Sequence, residues 1–144
     1  MGIAIATKIP NPYISIPLAF ASHFFLDRVP HWNPHLTSET KKFGKPTLKT
    51  TIIVALDVST SLAIGIFFAL RATDSTQAVI ILLASFASVL PDVLEGPYFF
   101  LGFRNKLLEK WINLQKSIQV NADFIPGTLT QVVTLLATFY WIIL

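Results

Sequence analysis

Residues Phe124–Leu144 read FIPGTLTQVVTLLATFYWIIL, and no Asp, Glu, Lys, Arg or His interrupts them. Tyr140 is the one ionisable side chain in the run. A helix rises about 1.5 Å per residue and a bilayer core is roughly 30 Å thick, so about 20 apolar residues make one crossing. The apolar positions form a block, without the period of two or 3.6 that a single water-facing side imposes. The stretch is therefore expected to span a membrane.

Working outward, three further stretches have the same character: Pro12 to Val29, Thr50 to Leu70 and Gln77 to Phe103. The fold class expected is all-α, an integral membrane bundle of about four transmembrane helices forming a single domain over residues 1–144. The composition agrees. The hydrophobic set makes up 53% of the chain and charged residues 13%, against roughly 25% charged in a soluble domain, which is too little charge to build a water-facing surface. With no cysteine, disulfides, thiolate metal sites and a cysteine nucleophile are excluded. Met1 to Thr7 is mildly apolar but lacks the charged region and cleavage site of a removable signal, so the first span is expected to be retained.

Orientation follows from the basic residues. Arg28, Lys41, Lys42, Lys45 and Lys49 follow the first span, and Arg104, Lys106, Lys110 and Lys116 follow the third; the opposite side holds only Lys8 and Arg71. By the positive-inside rule both long loops are expected in the cytoplasm. The net charge of +3 is divided between two loops rather than laid out in one stripe. This favours membrane lipid with anionic headgroups as the partner over nucleic acid.

The third stretch is too long for one straight crossing and contains Pro91, Gly96 and Pro97. A helix to about Leu90, a break and a second short segment are expected. Irregular backbone at membrane depth is tolerated only where protein or a water-filled cavity satisfies it, so the break points to a site. Residues 33–49, polar and punctuated by Pro34, Gly44 and Pro46, read as a loop. From about 104 to 122, Leu107, Trp111, Leu114 and Ile118 share one helical face. That is the pattern of an amphipathic helix on the cytoplasmic surface or of one packed on the ends of the spans.

Ionisable groups inside spans cost roughly 2.5–3.5 kcal/mol for Asp at a helix centre, so each needs a reason. His23, Asp27 and His31 are spaced four apart and stack along one helical face, a spacing at which imidazole and carboxylate can grip one divalent cation. At about 1.5 Å per residue, Asp57 lies roughly 10 Å in from Thr50, and Asp27 and Asp92 each roughly 22 Å from the outer start of their spans. All three fall in the cytoplasmic half of the bilayer. A shared centre of imidazole and oxygen ligands suits Zn, Mn or Fe better than Mg or Ca. Plainer roles stand beside this: an interfacial ion pair of Asp27 with Arg28, a capping or orienting role for Glu95, loop positions for His35 and Asp123, and an interfacial aromatic belt containing Trp32 and Trp111. Ser22 beside His23 has no third orienting group evident in sequence.

The string Ser22-His23-Phe24-Phe25-Leu26-Asp27-Arg28-Val29-Pro30-His31-Trp32, with the later Leu90-Pro91-Asp92, resembles the small bacterial membrane-bound metal-dependent hydrolases, which are related to the LexA-binding inner-membrane hydrolase group. The likeness covers about twenty residues directly. It implies a multi-span helical bundle in a bacterial inner membrane, with His23, Asp27 and Asp92 as metal ligands and His31 as a further one. The chain lacks the histidine-rich motif that larger members carry near the N-terminus, its only histidines being His23, His31 and His35. The lysine-arginine, serine-glycine-histidine and arginine-histidine motifs of the other common membrane phosphatase class are absent.

The expectation that combines these readings is a membrane-embedded metal-dependent hydrolase acting on an amphiphilic phosphate or ester from the cytoplasmic leaflet. A divalent metal would be held by His23, Asp27, Asp57 and Asp92, with His31 nearby. Asp57 or Glu95 would act as general base, and Arg28, Arg104 and Lys106 would bind the substrate's phosphate. The rivals are an ion- or proton-binding transport protein and a non-catalytic adaptor whose polar cluster fixes helix packing. Short spans bury little surface between them, which leaves room for a homodimer.

Overall fold

The computed structural model describes residues 1–144. In chain order the helices are α1 (Gly2–Lys8), α2 (Pro12–Leu26), α3 (Leu36–Phe43), α4 (Leu48–Leu70), α5 (Ser75–Val93), α6 (Gly96–Phe100), α7 (Lys106–Ile118) and α8 (Phe124–Ile143), with no strand between them. Several begin where a side-chain oxygen can accept one of the amides that a helix start leaves unbonded. Asn11 accepts from Tyr13 N at 3.0 Å, Asp74 from Gln77 N at 2.8 Å and Asn105 from Leu108 N at 2.8 Å.

Three helices, α4, α5 and α8, are long and apolar enough to cross a membrane. The apolar α2 has 15 residues, about 22 Å of helix, which is short of a full crossing. Only 20 of the 144 residues are buried, and large apolar side chains such as Leu56, Leu62, Leu129 and Leu136 lie exposed along α4 and α8. Apolar surface on that scale is matched to lipid, where it costs nothing, and not to water.

The core is small-residue packing between α1, α2 and α5: Ile5, Ala6, Ala19, Ile80, Ile81, Ala84 and Ala87. α1 is an element that the mild hydropathy of Met1 to Thr7 did not announce, because seven residues are too few to show a period. It is held by contact rather than by propensity. A Cβ on Gly2 would come within 2.8 Å of the Ala84 carbonyl carbon and 2.9 Å of Ser88 Oγ, so α1 lies directly on the α5 backbone.

Two expectations about helix ends change. Pro91 does not stop α5, which runs on to Val93; the break falls at Leu94–Glu95, and α6 starts with Gly96 and Pro97. Proline inside a helix removes one amide and strains one turn, but packing can carry the helix across it, and Pro91 is fully buried. Within the stretch expected as a loop, residues 36–43 form α3, closed by Gly44 at φ 78°. That left-handed conformation is one glycine adopts without steric cost.

The loops that join the helices on the basic side are tied to one another. The segment after α2 pairs in parallel with the α7–α8 loop through His31 and Asn121. Val120 N donates to Asp27 O at 2.8 Å, His31 N to Val120 O at 3.1 Å and Ala122 N to His31 O at 2.9 Å. Arg104 bridges α6 to the end of α3, donating to Tyr98 O at 2.8 Å and Gly44 O at 3.0 Å while its guanidinium lies 4.1 Å from the Tyr98 ring centroid. The C-terminal ends of α2 and α5 and the N-terminal end of α8 therefore share one end of the molecule with the basic loops. At the other end Phe68 stacks on Phe139, with centroids 6.2 Å apart.

Candidate functional site

The site is assembled at that basic end from the last turn of α2, the bend of α5 and one face of α7. His23 is its centre. Its Nδ1 lies 3.0 Å from the carbonyl oxygen of Ser88. A carbonyl can only accept, so Nδ1 carries the ring proton and Nε2 is left with its lone pair. Ser88 stands one residue beyond Ala87, whose carbonyl loses its helical partner at Pro91; the loosened turn is where the His23 ring docks.

Nε2 of His23 faces oxygen from three directions. Gln115 Oε1 is 3.1 Å away, Asp27 Oδ2 3.5 Å and Asp92 Oδ1 3.6 Å. The Gln115 amide cannot turn to relieve this. Its Nε2 donates to Pro91 O at 3.0 Å and to Glu95 Oε1 at 2.7 Å, and reversing it would set acceptor against acceptor. A lone pair ringed by acceptors calls for positive charge between them, either a second proton on the ring or a cation. Asp27 Oδ2 is buried without a hydrogen-bond partner, a costly state for a carboxylate unless charge compensates it.

In chemistry, though not as a closed cage, the donor set of imidazole nitrogen and oxygens is of the kind that binds divalent cations. Metal–ligand bonds of about 2.1 Å in a tetrahedral site put neighbouring ligand atoms roughly 3.4 Å apart, and the two Nε2-to-carboxylate distances are close to that edge. An imidazole whose other nitrogen donates to a backbone carbonyl is also the usual arrangement of a metal-ligating histidine. No three His, Asp or Glu side chains, however, surround one point as a closed ligand cage. The oxygen nearest Nε2 belongs to an amide.

The remaining expected residues are placed as follows. His31 comes within 4.0 Å of Asp27 Oδ1; its Nδ1 donates to Val29 O at 2.8 Å and its Nε2 accepts from Asn33 Nδ2 at 2.9 Å. Asp92 is open, its side chain 66% exposed, whereas those of His23 and Asp27 are each 10% exposed. Asp57 is exposed on α4, in no hydrogen bond or ion pair of the cluster, but within Coulombic range of Asp92. Glu95 orients the Gln115 amide. Arg28 is exposed and makes no ion pair with Asp27; Lys106 is exposed too, while Arg104 spends its donors on Tyr98 and Gly44. Ser22 Oγ donates to Ala19 O at 2.7 Å within its own helix. His35 and Asp123 stand at the starts of α3 and α8, neither side chain capping its helix.

No family model, curated protein or solved structure matches this chain. Its chemistry is therefore read from its own atoms.

Gln115 was missed in the sequence, though it left a signal. It sits four residues after Trp111 and three before Ile118, a polar residue on the apolar face. The buried side of α7 is built around Ile112 and Gln115, with Trp111 donating its indole N–H to Pro91 O at 3.1 Å; Leu107 and Leu114, expected to share the Trp111 face, are exposed instead. A helix face expected to be purely apolar thus carries the one amide that reaches His23.

Proposed function

We propose that the chain is a membrane-embedded, metal-dependent hydrolase of an amphiphilic phosphate or ester, related to the bacterial family that its serine-histidine and leucine-proline-aspartate strings resemble. One observation carries the reading: the Nε2 lone pair of His23 converges with Asp27, Asp92 and Gln115 oxygens on a place that needs positive charge.

In this reading α2, with its flanking residues, forms a fourth crossing beside α4, α5 and α8. The basic loops face the cytoplasm of a bacterial inner membrane, and α7 lies at the lipid surface with Leu107 and Leu114 outward. His23, Asp27 and Asp92 hold a divalent cation, Zn, Mn or Fe, and His31 joins them if Asn33 releases its Nε2. When bound, the cation supplies Lewis acidity toward a phosphoryl or acyl oxygen. Asp92 is the open edge of the cluster, where a substrate headgroup approaches. Asp57, within Coulombic range of Asp92, takes a proton at its carboxylate. Arg28 and Lys106, both free of ion pairs, attract the phosphate.

Elemental analysis of purified protein tests the metal, and release of phosphate or fatty acid from phospholipid and polyprenyl phosphate in mixed micelles tests the reaction. Wild type should carry stoichiometric metal that Asp27→Ala and Asp92→Ala lose along with turnover. Metal kept in both variants, or absent from wild type, defeats the ligand set.

A second reading has its own support. His23 joins α2, α5 and α7 through direct contacts, so the cluster also fits a packing device of a non-catalytic adaptor. In that case loss of metal would unfold the protein, and no substrate would turn over.

A further inference from the structure

Resting on the proposed metal centre, we infer that Gln115 is a ligand-side residue of it: its amide oxygen completes a cation site of one imidazole nitrogen and three oxygens, and Glu95 is the positioning residue that aims that oxygen.

The argument starts from the lack of a third acidic or imidazole donor. His23 brings two carboxylates to its Nε2, one buried and one open, and nothing else ionisable closes the ring. The space is taken by Gln115, which is 4% exposed and whose polar atoms are all committed. Its Nε2 protons go to Pro91 O and Glu95 Oε1, which leaves Oε1 only one direction, toward His23 Nε2 at 3.1 Å. A buried amide fixed at its nitrogen end by two acceptors is an oxygen donor held in advance at the place where a cation would need one.

The element that carries it matters as well. α7 is held to the bend of α5 by two bonds onto one carbonyl, Trp111 and Gln115 both donating to Pro91 O. Pro91 O is free to take both because Glu95 N bonds instead to Asp92 O at 3.0 Å. The break after α5 therefore has a use: it releases the carbonyl that seats α7 and turns Glu95 toward the Gln115 amide. One nitrogen among three oxygens makes the donor set hard and shifts preference toward Mn(II) relative to an all-imidazole site.

The test measures binding of Mn(II) and Zn(II) to the full chain in detergent by titration calorimetry, with circular dichroism and size-exclusion profiles as folding controls. Gln115→Met keeps the volume and removes the amide; it should lower affinity about 10- to 100-fold. Glu95→Ala, which releases the Gln115 amide, should lower affinity too, and Glu95→Gln, whose amide oxygen can still accept from Gln115 Nε2, should keep binding within a few-fold of wild type. Unchanged affinity in Gln115→Met, while His23→Ala abolishes binding, overturns the role of Gln115 and leaves the metal centre standing. Wild-type affinity in a folded Glu95→Ala overturns the positioning role of Glu95. Wild type that binds neither metal removes both.

Discussion

His23 donates its Nδ1 proton to the carbonyl oxygen of Ser88, 3.0 Å away, and by that bond the last turn of α2 is fixed to the bend of α5. The tautomer this imposes gives the opposite nitrogen its lone pair. Stability and site chemistry are thus joined in one ring, yet they separate elsewhere in the cluster. His23→Ala leaves the Ser88 carbonyl without its partner, at a cost of about 1–3 kcal/mol if water does not reach it. Asp92→Ala changes a side chain that is 66% exposed and should move stability by no more than about 0.5 kcal/mol. Thermal melts in detergent, set beside metal content, should find His23→Ala both unstable and metal-free, and Asp92→Ala stable and metal-free. Equal destabilisation by the two would contradict the geometry.

Close backbone approach at α8 gives a second outcome. A Cβ on Gly127 would stand 2.8 Å from Trp32 Cβ and 2.9 Å from the His31 carbonyl carbon, in the segment that pairs with Asn121. Because the neighbours are backbone atoms and a Cβ fixed directly to the backbone, they cannot swing aside. Gly127→Ala should cost about 1–3 kcal/mol and loosen the His31–Asn121 pairing, read as faster amide exchange at His31 and Ala122. Gly96 has nothing within 4 Å of its would-be Cβ and a negative φ. Gly96→Ala should be neutral or stabilising by up to about 1 kcal/mol, which makes it the control.

Glu39 supplies a pH dependence outside the membrane. The Thr47 backbone N–H and then the Thr50 hydroxyl, each 2.8 Å away, donate to its carboxylate and hold it below the ordinary glutamate value of 4.5. A depressed folded value means that the unfolded chain binds the proton first. The contribution is therefore complete above about pH 4.5 and disappears as pH falls through the lower folded value. Wild type should lose thermal stability through that acid window by an increment that Glu39→Gln lacks. Parallel acid profiles for the two proteins would show that the carboxylate does not hold the start of α4.

The sequence carries the membrane helices in plain view, because a crossing is written in composition: α4, α5 and α8 are blocks of apolar residues long enough to be counted. The pairing of His23 with Asp27 was legible from their four-residue spacing, which a helix converts to one face. The approach of Asp92 to the same nitrogen was suggested by depth along the spans. What stayed hidden was written in backbone. The Ser88 carbonyl that sets the tautomer of His23, and the Pro91 carbonyl that seats α7, are the same group at every residue, and only the bend singles them out. α1 was hidden for a different reason, since its seven residues take their stability from contact with α5 and show no pattern of their own.

Arg104 offers the last outcome, because a basic residue near a proposed phosphate site can be there for either of two reasons. Its two terminal nitrogens donate to Tyr98 O and Gly44 O, the second of them 60 residues away in sequence, and the plane lies over the Tyr98 ring. Only a flat fork of donors reaches both carbonyls while stacking; an ammonium cannot. Arg104→Lys keeps the charge but drops one bond and the stacking, so it should lower stability by about 1 kcal/mol and speed amide exchange around α6. Lys106→Ala and Arg28→Ala, which remove exposed charges without hydrogen-bond partners, should leave the melt unchanged and weaken association with anionic vesicles in a salt-dependent way. If Arg104→Lys instead behaved as wild type in the melt, the guanidinium would not be the strap that joins α3 to α6, and its charge would be free for the phosphate after all.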